Sequence, residues 1–277
     1  MVLVNLRGGL CMRHSFDWSL RFTTVAAVLL IALTGCKEPP KDMVEVPKGE
    51  FSMGSNDIDK EAKALQYGAT KAWYENERPM RPVKVGRFYI DKTEVIHAQY
   101  KQFLDATGHK PPEQWPGGVY PVQYSDHPVT FVTWADADEY CKWKGKRLPT
   151  EAEWEKAARG TDGRQFPWGN EFDIKKLNAL GEFSGTTPVG MFPEGASPYG
   201  ALDMAGNVQE WTADWYKPYP DNTFKDDDYG EKHRVVRGGS WGGMGHYTLQ
   251  VYLRTSFRNT AKPDTVYNDV GFRCVWP

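Results

Sequence analysis

The stretch HPVTFVTWADADEYCKWKGKRLPTEAEWEKAARG, residues 127–160, decides the fold. Trp134, Ala137, Tyr140, Cys141 and Trp143 fall largely on one broad helical face, and Gly145 supplies a stop. Thr150 with Glu153 three residues later is a capping box that starts a second helix. That helix turns Trp154, Ala157 and Ala158 inward and ends at Gly160. Trp134 and Trp154 read as core packing rather than as ligand contacts.

Upstream, residues 43–54 (MVEVPKGEFSMG) alternate like a strand and close on a glycine turn. Residues 56–80 are polar, with a helix-like patch around Lys60–Leu65, and Val83–Ile90 alternates again. Tyr100, Phe103 and Leu104 are spaced for a helix over His97–Thr107, closed by Gly108. Downstream of Gly160 the chain is mostly turns and short strands, the last of them over Val270–Val275. With 11 tryptophans, 14 tyrosines and 13 phenylalanines, this pattern suits a loop-heavy α+β fold held by aromatic packing.

The N-terminus reads as an address. Arg13 and Arg21 precede a short apolar run, Val25–Leu33, followed by Thr34, Gly35 and Cys36. A basic region, a short apolar core and small residues before a cut describe a secretory signal. The run falls short of the ~20 apolar residues that span a bilayer. Leu33-Thr34-Gly35-Cys36 resembles the bacterial lipobox, in which the cysteine becomes the lipidated first residue. Met12 is a more usual start than Met1, and Lys37 after the cysteine suggests the outer membrane of a Gram-negative cell.

The expected organisation is therefore a lipoprotein signal peptide over residues 1–35, a tether over 36–42 behind Cys36, and one domain over 43–277. Without residues 1–35, 31 basic residues face 35 acidic ones, a net charge of −4. That balance argues against nucleic acid as a partner.

Cys11 and Cys36 lie in the signal region, which leaves Cys141 and Cys274. Two thiols in an oxidising compartment are expected to pair. A bond closing so long a loop is worth ~4–5 kcal/mol of chain entropy before strain. The rival reading, a reactive thiol, is disfavoured because GFRCVW looks like a buried strand.

Several blocks in order now carry a resemblance: GEFSMGS, FYIDKTEVIHAQYKQFL, the 127–160 stretch, FPWGN, PYGALDMAGNVQEW, RVVRGGSW and LRTSFRN followed by PDTVYNDVGFRC. Together they resemble the formylglycine-generating enzyme family, the sulfatase-modifying factor domains, from about Val44 to Pro277. The resemblance implies a variant of the C-type-lectin-like fold with little regular secondary structure.

The family's enzymes use oxygen to turn a sulfatase cysteine into formylglycine, on a copper(I) ion held by two cysteines. Soft thiolates suit that ion. Counted from Ser240, the cysteine positions fall on Gly243 and Thr248, and neither side chain can hold copper. The tryptophan usual within the GNVxEW motif is Gln209. No copper is expected, and the scaffold outlives the match in mechanism.

The resemblance further implies a structural calcium on Asp203, the carbonyls of Gly206 and Val208, and Glu210, an all-oxygen set suited to that ion. A second, weaker calcium would use Asn178 and the carbonyls of Ala179 and Phe183, with Glu182 in place of the usual aspartate. The candidate pocket is Ser240, Trp241 and His246. Ser240 and His246 suggest a nucleophile and base, but no G-x-S-x-G elbow supports them. His97, His109, His127, His233 and His246 form no pair at metal-ligand spacing. Arg237, Arg254, Arg258 and Arg273 read as loop ties, with Asp203, Glu210 and Asp214 as possible partners.

Two functions follow. The first is an envelope lipoprotein, in the outer membrane facing the periplasm, whose domain binds or assists a peptide, protein or glycan. The alternative is an oxidoreductase of this family that uses different metal ligands to modify a peptide or protein.

Overall fold

The structure is a computed structural model that describes residues 41–69, 71–242 and 249–277. The expected signal peptide over residues 1–35, Cys36 and the loop positions Gly243, His246 and Thr248 lie outside the described residues.

The chain enters as a two-stranded ribbon. Strands β1 (Met43–Val46) and β2 (Gly49–Met53) return as β3 (Arg81–Val85) and β4 (Phe88–Asp91), with β2 on β3 and β1 on β4, both antiparallel. The sequence suggested one strand on each side, and the ribbon instead breaks in the middle. Pro47 has no N–H to give to the ladder, and Pro47-Lys48 and Gly86-Arg87 face each other across the gap. Between the arms, the helix-like patch forms only one turn, α1 (Lys63–Gln66).

Helix α2 (His97–Thr107) closes on Gly108 at φ 72° and buries Tyr100, Phe103 and Leu104. Helix α3 (Trp134–Trp143) follows, and its N-terminus carries a capping box of its own, Thr133 with Asp136. Helix α4 (Glu151–Arg159) starts at Thr150, whose hydroxyl accepts from the Glu153 N–H at 3.2 Å, and ends at Gly160.

A four-stranded sheet holds β5 (Gln209–Trp215), β6 (Arg234–Arg237), β7 (Asn259–Ala261) and β8 (Val270–Gly271), in the order β7-β6-β5-β8. Its β5–β8 pairing is parallel and the others antiparallel. Strand β9 (Val275–Trp276) leaves for the first ribbon and pairs with β4. The single last strand expected over Val270–Val275 is thus two strands in two sheets. The chain between them carries Arg273 and Cys274 to opposite anchors.

Cys274 is disulfide-bonded to Cys141 of α3 across 133 residues, as expected. Around that bond lies the largest apolar cluster, with Tyr100, Phe103, Trp115, Tyr140, Trp211 and Phe272 all buried. Tyr140 packs on Tyr100 and Phe272 at ring distances of 5.7 and 5.3 Å. Trp154 is fully buried in a second cluster with Phe88, Ile90 and Val275. Trp134 is half-buried, with the Arg234 guanidinium 3.8 Å from its ring centroid.

Candidate functional site: a buried charge cluster beneath a glycine-rich loop

The sequence LDMAGNVQEW, residues 202–211, is a turn that feeds β5. Asp203, Gly206 and Asn207 take positive φ of 56°, 82° and 57°. Aspartate and asparagine tolerate this conformation better than most residues, and glycine best. At Gly206 a side chain is excluded outright, because a Cβ would sit 2.4 Å from the Asn178 carbonyl oxygen.

The turn delivers Glu210 to Arg273, both fully buried. Arg273 Nε donates to Glu210 Oε2 and Nη2 to Glu210 Oε1, each at 2.7 Å, a two-pronged pair. Its other donors reach the carbonyls of Asp91, Lys92 and Leu202. The Trp154 indole N–H also donates to Glu210 Oε2, at 2.8 Å.

Two further carboxylates, Glu94 and Asp203, share this pocket. Asp203 accepts from the Gly190 N–H at 2.6 Å, and Glu94 Oε1 accepts from Asn207 Nδ2 at 3.1 Å. Glu94 Oε2 is buried without a hydrogen-bond partner and stands 4.0 Å from Arg273. Burial, and then the neighbouring Asp203 charge, pushes the Glu94 carboxyl well above its usual range. Burial also raises Asp203.

With all three carboxylates ionised, one guanidinium would leave an excess of two negative charges, which a divalent cation would balance. The donors are all hard oxygens, which fits calcium. Asp203 and Glu94 have capacity for an ion, whereas both Glu210 oxygens already accept hydrogen bonds. Among the described residues no three His, Cys, Asp or Glu side chains are placed to share one metal. An ion here would therefore draw on carbonyls such as those of Gly206 and Val208.

Asn207 links this turn to the second expected site. Its Oδ1 accepts from the Thr187 N–H at 2.9 Å and from Asn178 Nδ2 at 3.3 Å, and its N–H donates to the Asn178 carbonyl at 2.8 Å. Asn178 is buried, and its Oδ1 has no partner. An orphaned amide oxygen fits a cation ligand. The Ala179 carbonyl accepts from the Glu182 N–H at 3.1 Å, while the Phe183 side chain is exposed.

Above the turn lies the glycine-rich loop. Gly239 has φ 68°, and a Cβ there would lie 2.7 Å from the Tyr252 carbonyl. Ser240 is buried, and its hydroxyl donates to Asp269 Oδ2 at 3.0 Å. Asp269 also receives Gln209 Nε2 at 3.3 Å, and Gln209 Oε1 accepts from Asn259 Nδ2 at 2.6 Å. A relay Ser240–Asp269–Gln209–Asn259 thus stands where the resemblance puts a serine and a tryptophan. Trp241 is held by its backbone, which donates to the Asn207 carbonyl and accepts from Gly181, and its buried indole N–H has no partner among the described residues.

Among the described residues the histidines take part in no cluster that could hold a metal. His97 is buried and accepts from the Trp115 indole through Nδ1, and burial lowers its pKa to about 4, so it is neutral. His109 pairs with Asp136, and His127 bonds Thr186.

The four arginines tie loops, as the sequence suggested, but largely through other partners. Glu151 and Glu155 of α4 bind Arg237 at 3.2 and 2.5 Å, Glu151 also binds Arg258 at 2.6 Å, and Glu77 binds Arg254 at 2.6 Å. Among the suggested partners, Glu210 takes Arg273. Asp214 instead accepts from the Glu151 N–H.

Residues 32–277 match the family model described as a sulfatase-modifying factor enzyme 1-like domain. The chain is 31% identical to the formylglycine-generating enzyme of Bos taurus, over 87% of this chain and 76% of that protein. It is 30% identical to the inactive C-alpha-formylglycine-generating enzyme 2 of the same species, over 84% and 87%. Among solved structures, PvdO from Pseudomonas aeruginosa is similar with a TM-score of 0.66 and 29% identity, covering 85% of this chain and 95% of that one. The expected α+β class and the C-type-lectin-like variant both hold.

Removing Arg273 leaves the carboxylates buried without a counter-charge. Arg273→Met is expected to cost about 3–5 kcal/mol in urea unfolding. A loss under about 1 kcal/mol would show that the cluster does not carry the fold.

Proposed function

The chain belongs to the sulfatase-modifying factor family, and we propose that this member is an envelope-tethered binding or accessory module without copper-dependent formylglycine activity. One observation carries the reading: the two positions for copper thiolates are Gly243 and Thr248. Neither residue can supply the soft ligands that copper(I) prefers. Ser240 supports it further, since its hydroxyl donates directly to the buried Asp269, which also receives the Gln209 amide. The family accommodates such members, for one relative is named as inactive.

In this reading calcium is structural, held by Asp203, Glu210 and the carbonyls of Gly206 and Val208, with Glu94 beside them. It would neutralise buried carboxylates and supply no redox chemistry. Asn178, with the carbonyls of Ala179 and Phe183, would hold a second ion. The partner would be a peptide, protein or glycan in the bacterial envelope. The chain would sit on the outer membrane facing the periplasm, with lipid on Cys36; a lipobox cysteine carries enough acyl chains for stable anchoring. The oxidoreductase alternative would draw on ligands outside the described residues, among which no three His, Cys, Asp or Glu side chains are placed to share one metal.

The activity test is direct. The full chain, incubated with copper(I), oxygen and a cysteine-containing sulfatase peptide, is expected to form no formylglycine by mass spectrometry. Formylglycine at catalytic turnover would overturn the reading. For the anchor, Cys36→Ser is expected to move the protein from the membrane fraction to the soluble one in a Gram-negative host. An unchanged distribution would remove the lipoprotein assignment.

A further inference from the structure

Asp269 is the buried carboxylate that lacks a cation. It is 7% exposed and receives only neutral donors, the Ser240 hydroxyl and the Gln209 amide. Among the described residues no lysine, arginine or histidine nitrogen lies within ion-pair distance of it. Most other buried carboxylates described pair with an arginine or a lysine or belong to the cluster around Arg273, and the half-buried Asp214, which accepts from the Glu151 N–H, is an exception. Burial pushes the Asp269 carboxyl up, and the two hydrogen bonds oppose that shift. A buried carboxylate without a counter-charge is costly, so its retention needs a reason.

The surroundings supply one. Asp269 lines a cavity of about 500 Å³, together with Gln209, Asn259, Phe131, Val266 and Tyr267. That volume lies within the roughly 300–1,000 Å³ of ordinary ligand pockets. Its lining includes apolar and aromatic side chains, which suit a methylene stem, and carboxamides, which suit a polar head. The hydrogen bonds from Ser240 and Gln209 fix the carboxylate in place before anything enters.

We infer that this cavity binds an alkylammonium or alkylguanidinium group, whose charge pairs with Asp269 and whose stem packs on Phe131, Val266 and Tyr267. The group arrives either on a small free amine or guanidine, or as the basic side chain of a peptide. The inference rests on the binding-module reading of the same cleft and names the chemistry that the cleft selects.

The test is calorimetric titration of the purified full chain with butylguanidinium, butylammonium, N-acetyl-arginine amide, N-acetyl-lysine amide and the neutral isostere N-acetyl-citrulline amide. At least one cationic probe is expected to bind, at least about tenfold tighter than citrulline. Asp269→Asn, which keeps an acceptor for Ser240, is expected to weaken that binding at least about tenfold while melting as a folded protein. Binding of the free cations as strong as that of the blocked amino acids points to a small ligand. Binding of the blocked amino acids alone points to a peptide side chain. Absence of binding by every cation, equal binding of citrulline, or unchanged affinity in folded Asp269→Asn would overturn the inference. None of those outcomes touches the copper test, so the module reading would stand or fall separately.

Discussion

The fork between Arg273 and Glu210 is the interaction on which the rest of the structure depends. All five guanidinium N–H donors are satisfied, two on Glu210 and three on the carbonyls of Asp91, Lys92 and Leu202. One side chain therefore joins the end of the first ribbon, the turn before β5 and the segment between β8 and β9. Next to it in sequence, Cys274 ties the same segment to α3. A fold with short strands and few helices gains little from regular ladders alone. Here, hydrogen-bonded buried charges fix which loops meet.

The same device recurs around α4. Its sequence, EAEWEKAAR, is too polar for a buried helix on hydrophobicity alone, yet most of its residues are buried. Glu151 and Glu155 are spaced one turn apart and meet Arg237 and Arg258, arginines contributed by the C-terminal third of the chain. Such pairs are weak sources of net stability, but breaking one is costly. They specify arrangement, and they leave Asp269 conspicuous as the carboxylate they do not serve.

Much of this was legible in the sequence because it rests on local signals. The capping box at Thr150, the stop at Gly108 and the spacing of Tyr100, Phe103 and Leu104 place helices without reference to anything distant. The cysteine pairing followed from there being two candidates. What escaped depends on contacts across the chain. Nothing local marks Glu151 and Glu155 as buried, because the Arg237 they meet lies more than eighty residues away. Asp269 sits in TVYND, a composition that reads as a turn in water, and nothing local shows that Ser240 reaches it. The break at Pro47 had a local signal in the missing N–H. The split of the last strand had none, since β8 and β9 differ only in which sheet accepts them.

The central proposal is that the family scaffold persists here on buried charge, with a structural calcium at the Asp203 turn and no catalytic copper. Elemental analysis of the full chain, purified without chelator beside Asp203→Ala, tests it most directly. The account predicts stoichiometric calcium, reduced in Asp203→Ala, and neither copper nor iron. Stoichiometric copper or iron, or wild-type protein that carries no calcium, would contradict it.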